Sequence, residues 1–264
     1  MPGEMIANSG ARTLIELPGP TPLGGGVLSV ARVIDTSGHE LMGVEAQTDA
    51  CGSAEEWAEW CTTTPVGRKI FEDSLDYVVG DPFAIYAGVS CDLQRLDDAA
   101  QRAERRLNYG ESRGIDQHVD ADLATNLTVV DLGGPFPLPQ GIGAAEAFAA
   151  TFYGGVPTLL IPRLLLPCGC LSGLLSRDAD GTLTTCAGSR VAPLTTAINV
   201  PVVADTMPMY VTGQITLFRS PTTTISVPQQ PFDNGTFAPA RALAERVYVP
   251  VFDCLVAKVE VTCS

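Results

Sequence analysis

Eight cysteines, at positions 51, 61, 91, 168, 170, 186, 254 and 263, and two histidines, His39 and His118, are the side chains best suited to chemistry. Cys168-Gly169-Cys170 with Cys186 supplies three thiolates for a zinc ion. Zinc sites, however, usually space paired cysteines by about two to four residues, and no fourth ligand stands out. Cys91 and His118 form the one nucleophile-and-base pairing on offer, and they lie 27 positions apart. A cytosolic thiol enzyme centred on Cys91 or Cys168 is therefore the enzymatic reading, with nothing else in the sequence to support it. Gly141-Ile142-Gly143 lacks the third glycine and the Lys-Ser/Thr tail of a phosphate loop. Asp178, Asp180 and Gly181 open like a calcium loop, yet Ser189 stands where the closing glutamate belongs. No serine nucleophile elbow and no His-Glu zinc helix occurs. The expectation is a chain without catalytic residues, metal or cofactor, its cysteines buried as free thiols in a reducing compartment.

Charge and composition narrow the class. Sixteen basic residues stand against 30 acidic ones, a formal net charge of −14, which excludes a basic, phosphate-gripping protein. Lys69 and Lys258 are the only lysines, and the other 14 basic residues are arginine. Arginine forks onto carboxylates and suits fixed subunit contacts, although a GC-rich genome would produce the same bias. The 264 residues are 45% hydrophobic and 17% charged, with 26 glycines and 20 prolines. That apolar share excludes disorder, and the length suffices for one large domain or two small ones without staples. Sparse charge with so acidic a balance predicts a surface largely occupied by other protein. The chain opens with no signal-peptide pattern, and its most apolar stretch, 156–175, is broken by Pro157, Pro162, Arg163 and Pro167. A soluble chain made in the cytoplasm, without membrane contact, is expected.

Periodicity predicts the elements that position these groups. Pro18, Pro20, Pro22 and Gly24-Gly25-Gly26 mark the first 50 residues as an extended arm, with one short strand between Val27 and Ile34. Ser53-Ala54-Glu55-Glu56 is a capping box opening a short helix that carries both tryptophans, Trp57 and Trp60. From an Asp92 N-cap, Leu93, Leu96, Ala100, Ala103 and Leu107 recur at helical steps, and Ile115, Val119 and Leu123 resume the pattern. Gly110 and Gly114 between them are the expected place for a bend or break. A proline-rich break over 133–139 separates a second amphipathic helix with Ile142, Ala145, Phe148, Ala149 and Phe152. Beyond it the chain reads as β structure: a buried strand at 158–162, a hairpin turn at 178–181 and an alternating strand over 210–217. A polar connection over 220–239 then leads to a closing strand with Leu255, Ala257, Val259, Val261 and Cys263 on one face. The class is α+β.

In chain order these elements resemble a known family. Gly80-Asp81-Pro82-Phe83-Ala84-Ile85-Tyr86-Ala87-Gly88-Val89-Ser90-Cys91 precedes a long helix containing Ala103-Glu104-Arg105-Arg106-Leu107-Asn108-Tyr109-Gly110 and continuing to Asp116. Tyr210-Val211-Thr212-Gly213 follows in the Pro-Gly-punctuated region, and Ala244-Glu245-Arg246-Val247-Tyr248-Val249-Pro250-Val251-Phe252-Asp253-Cys254 runs into the closing strand. Over nearly the whole chain this order resembles the major capsid proteins of tailed bacteriophages infecting actinobacteria, whose capsid fold is shared with encapsulins.

The resemblance implies an α+β tailed-phage major capsid fold. Its parts would be an N-terminal arm over 1–40, an extended loop region and start of the peripheral domain over 41–91, and the spine helix of the peripheral domain over 92–139. An axial domain would follow over 140–240, and a C-terminal strand over 241–264 would return to the peripheral domain. The implied function is structural and not enzymatic: self-assembly into hexamers and pentamers of an icosahedral capsid enclosing double-stranded DNA. Such a subunit is assembled in the host cytoplasm and resides in the virion; a minor head or tail virion protein is the nearest alternative. Subunit contacts are expected at Trp57, Trp60, Lys69 and Phe71, and Lys69 is the loop's only lysine, where some relatives form a Lys-to-Asn isopeptide bond. No long charged helical extension precedes the arm, which implies a separate scaffolding protein or none. Portal and decoration proteins are the other implied partners, with DNA enclosed but not read by sequence.

Overall fold

The structure, a computed structural model, describes residues 19–21, 24–49, 51, 76–91, 99–125, 127–179, 181–195, 206–227 and 240–263. Among these the first half of the chain forms β1 (Arg32–Asp35), β2 (Val44–Thr48), β3 (Asp76–Gly80), β4 (Phe83–Cys91), α1 (Ala99–Thr125), β5 (Val130–Asp131) and β6 (Phe136–Pro137). Next come α2 (Leu138–Phe152), β7 (Thr158–Pro162), α3 (Leu166–Leu171), β8 (Leu175–Arg177), β9 (Leu183–Thr185) and β10 (Arg190–Leu194). The chain closes with β11 (Met207–Thr212), β12 (Ile215–Arg219), β13 (Thr223–Val227), β14 (Ala240–Phe252) and β15 (Val256–Thr262).

The strands assemble into two main sheets and a hairpin. One sheet runs β1-β12-β14-β13, with β4 on the other edge of β14; the second runs β5-β15-β11-β7-β10-β9-β8, with β6 also on β15. β2 and β3 pair antiparallel as the hairpin. The second sheet is covered on both faces. Leu159, Ile161, Val191, Met209, Val211, Ala257 and Val259 pack beneath α2 with its Ile142, Ala145 and Ala149. Leu160, Ala192 and Tyr210, one residue out of phase, join Val119 and Leu123 of α1. Successive side chains of a strand point to opposite faces, so a strand packed on both sides is apolar without alternation. That is why all five residues of β7 are buried.

α1 is continuous over 27 residues, about 40 Å at the usual rise. Seven of its buried positions, Ala99, Ala103, Leu107, Glu111, Ile115, Val119 and Leu123, fall every fourth residue, and Asp116 is buried beside them. A step of four overshoots a full turn by about 40°, so the buried stripe winds around the helix. Its first half therefore packs on β4 and β14, with Val89, Ala242 and Ala244, and its second half joins the core shared with the second sheet. Gly110 and Gly114 do not break the helix. A Cβ at Gly114 would lie 2.8 Å from Ile85, so the glycine permits a close helix-sheet approach. Asp92, the expected N-cap, lies outside the described residues.

Other expectations are corrected by tertiary context. The run 210–217 is not one strand but the end of β11 and the start of β12, in different sheets. The segment 27–34 is a 3-10 turn followed by β1, and Val27 and Val30 are core residues of this same chain. α2 begins inside the expected proline-rich break, because a proline in the first turn forfeits only an N–H that has no helical partner. The supposed polar connection over 220–239 contains β13. The closing segment 241–264, expected as one strand on the α1 side, is two: β14 in the α1 sheet and β15 in the second sheet. The hairpin turn at 178–181 joins β8 and β9 as expected, with Gly181 N–H donating to the Asp178 carbonyl.

The cysteines depart most from expectation. Cys51 is bonded to Cys254 and Cys168 to Cys263, while Cys170 and Cys186 are free and exposed. Cys61 and the Cys91 side chain lie outside the described residues.

α2 also yields a stability prediction. A Cβ at Gly141 would lie 2.2 Å from Val261 Cγ1, because the helix rests directly on β15. Gly141→Ala is expected to destabilise the fold by about 1–2 kcal/mol in urea unfolding, overpacking outweighing a helix-propensity gain of about 1 kcal/mol.

Candidate subunit interface

Strand alternation sorts β4, β13 and β14 into two faces. Ile85, Ala87 and Val89 of β4 and Ala242 and Ala244 of β14 point to α1. Tyr86, Gly88 and Ser90 point away, as do Arg241, Leu243 and Glu245 of β14. The register aligns them into rows: Ile225 beside Leu243 beside Gly88, and Val227 beside Arg241 beside Ser90. Among the described residues nothing covers this outer face. Tyr86 is 70% exposed, Ile225 50% and Val227 46%. Gly88 contributes no side chain, and a shallow depression of about 460 Å³ opens there among Leu243, Ile225, Val227, Arg241 and Ser90. Among the described residues β4 and β13 each pair with β14 alone, so each leaves a backbone edge open. An apolar depression beside open strand edges marks a surface suited to protein contact.

The opposite side is held by charge pairs. Glu111, where the buried stripe of α1 changes over, accepts from both Arg246 and the Tyr248 hydroxyl. Burial and the neighbouring Glu111 carboxylate push the Tyr248 phenol well above its ordinary pKa. Arg219 makes a forked pair with Asp35, at 2.7 and 3.1 Å, and this bond holds the exposed Asp35 carboxyl below the usual carboxylate range. These contacts fix α1 and β1 to the sheet, so the outer face is presented on a rigid support.

A second polar cluster sits where the chain passes between the sheets. Asp253, between β14 and β15, accepts from the Thr48 hydroxyl and, at 3.1 Å, from the Tyr153 hydroxyl. Tyr153 in turn accepts from Gln214 N–H at 2.8 Å, and Gly213 N–H donates to the Leu255 carbonyl. The two crossings, β11 to β12 and β14 to β15, therefore lie side by side, with the end of β2 bonded to them. The Cys51–Cys254 bridge joins the same place.

Trp57, Trp60, Lys69 and Phe71, the contact residues expected from sequence, lie outside the described residues. The His118 ring stacks on Phe83 at 3.6 Å between centroids, and burial lowers its pKa so that the neutral form is favoured; the Cys91 side chain of the expected pair lies outside the described residues. Cys168 is committed to its bridge, which removes one of the three thiolates of the zinc reading and the thiol of the Cys168 enzyme reading. Tyr86, Leu243, Ile225 and Val227 were not singled out in the sequence. Their signal was the alternation over 84–90 and over 223–227, short enough to be masked by the flanking polar residues.

The chain's α+β arrangement, a long helix on one sheet with a second sheet beside it, matches the tailed-phage capsid fold. Among solved structures the chain is similar to the capsid of an empty GTA particle, over 95% of this chain and 94% of that one, with TM-score 0.59 and 14% identity. It is likewise similar to the capsid of a native GTA particle, covering 99% of both chains with TM-score 0.55 and 13% identity. No protein-family model and no curated protein matches the sequence.

Proposed function

We propose that this chain is the major structural subunit of a phage-type icosahedral capsid, without catalytic activity. The observation that carries the reading is the fold likeness to a GTA capsid chain over 99% of each chain. The uncovered face of β4, β13 and β14 supports it, since a shell subunit needs apolar surface reserved for copies of itself. In this reading the α1 sheet is the peripheral domain and the second sheet the axial domain. The segment before Val27 is the arm, shorter than the 1–40 expected because Val27, Val30 and β1 pack into this chain's own core. The loop after β2 carries Trp57, Trp60, Lys69 and Phe71 to a neighbour. Head-to-tail contacts between such subunits close into hexamers and pentamers. A net charge of −14 suits a wall that encloses DNA without gripping it.

Expression of the full chain, alone and with a co-expressed scaffolding protein, followed by sedimentation and electron microscopy, tests the proposal. Closed particles or flat hexamer sheets are the expected result. A species that stays monomeric at high concentration under both conditions overturns it.

A further inference from the structure

The two disulfides bracket a single strand. Cys254 lies two residues before β15 and Cys263 directly after it. The first bridge ties the start of β15 to Cys51, just beyond β2; the second ties its end to Cys168 on α3. β15 lies within the second sheet, with β11 on one edge and β5 and β6 on the other. Ala257, Val259 and Val261 of this strand are fully buried. Such a strand is held by its ladder and its packing, and a bridge at each end adds a covalent anchor.

The cysteines themselves are unlike core thiols. Cys51, Cys168 and Cys254 are partly exposed and Cys263 is exposed, so a small thiol or disulfide reagent can reach all four. Their Cα atoms are 5.9 and 5.8 Å apart, within the span a disulfide requires. The bridges close loops of 203 and 95 residues, long enough to restrict the unfolded chain strongly.

We infer that this pair of bridges is an oxidation-driven clamp on β15, open while the chain is in a reducing cytoplasm and closed once it meets an oxidising exterior. The cytoplasmic origin rests on the proposed capsid function; the clamp itself rests on the cysteine placement. In each closure two thiols lose two protons and two electrons, and a low-molecular-weight disulfide accepts them and becomes two thiols. Closing Cys51–Cys254 also fastens the foot of the β2-β3 hairpin to the crossings between the sheets. Oxidation therefore stiffens both the last strand and the base of the loop proposed to reach a neighbour.

The test compares the purified full-length chain after treatment with dithiothreitol and after treatment with glutathione disulfide. Peptide mapping of alkylated thiols is expected to find Cys51–Cys254 and Cys168–Cys263 linked in the oxidised sample, with Cys170 and Cys186 alkylated. Amide exchange over 256–262 is expected to slow by about tenfold or more on oxidation, and the thermal midpoint to rise by about 5–15 °C. Cys263→Ser should lose protection mainly at the 259–262 end, Cys51→Ser mainly at the 256–258 end, and the double variant Cys170→Ser/Cys186→Ser should behave as the unmodified chain. All four thiols remaining alkylatable after oxidation, or exchange over 256–262 indifferent to redox state, overturns the clamp. Because these measurements need no particle, a chain that forms no shell yet protects β15 on oxidation keeps the clamp and refutes the capsid reading.

Discussion

Asp116→Ala is expected to lower stability by about 3–5 kcal/mol, enough to unfold a large fraction of the protein at moderate temperature. Asp116 is completely buried on α1. Its two carboxylate oxygens accept from Val27 N–H at 2.9 Å and from Thr195 N–H at 3.2 Å. Those donors come from segments 89 and 79 residues away, at the first core turn and just past β10. Alanine would strand two N–H groups in the core and release both segments from the helix. Burial, opposed by these two bonds, leaves the Asp116 carboxyl above its ordinary pKa. The folded state therefore binds this proton more tightly than the unfolded chain does. Its contribution to stability is greatest below the ordinary carboxylate value and declines as pH rises through the raised one. Asp116→Asn retains an acceptor and should cost less, about 1–2 kcal/mol, while removing that pH slope. Urea unfolding of the three proteins across the acid range measures both effects, and equal slopes for the unmodified and Asp116→Asn chains would refute the pKa assignment.

Placing charge on the uncovered sheet face should act in the opposite way, sparing the subunit and breaking the assembly. Tyr86 and Ile225 are at least half exposed on strands with an open edge, so Tyr86→Lys with Ile225→Lys is expected to change folding stability by no more than about 1 kcal/mol. If the face is buried against another copy, each subunit instead buries two unpaired ammonium groups at the contact. That costs several kcal/mol per site, and a closed shell repeats it at every subunit. Particle yield by sedimentation should then fall below detection while the thermal midpoint of the dissociated chain stays near the unmodified value. Full particle yield from the double variant would remove this face from the assembly surface.

Much of the architecture was readable from local pattern. Ala103, Leu107, Ile115, Val119 and Leu123 of α1, Ile142, Ala145 and Ala149 of α2, the buried strand at 158–162 and the 178–181 turn follow from apolar spacing or turn chemistry. Ala100, however, gives way to Ala99 in the buried stripe, and Phe152 is exposed. The candidate contact face was less legible. It joins β4 to β13 and β14, which follow more than a hundred residues later, and its outward residues become a patch only once Ile225, Leu243 and Gly88 share a row. The same limit hid the bridges. Cys51 and Cys254 stand 203 residues apart, and parity with spacing says nothing about which sulfurs meet.

By itself, then, the order of residues determined the two long helices, the buried strand at 158–162 and the alternating closing strand, because periods of 3.6 and 2 are local properties of the chain. The two longest strands, β4 and β14, were not legible in it. It also determined the acidic, lysine-poor character that argues against phosphate binding. Only the tertiary structure decided that 210–217 divides between two sheets, that α1 runs unbroken past two glycines, and that Asp116 serves backbone donors from two distant segments. Each of these is an energy of contact between remote parts of the chain. Such contacts outweigh local preferences of about 1 kcal/mol per residue, and nothing in a short window of sequence records them.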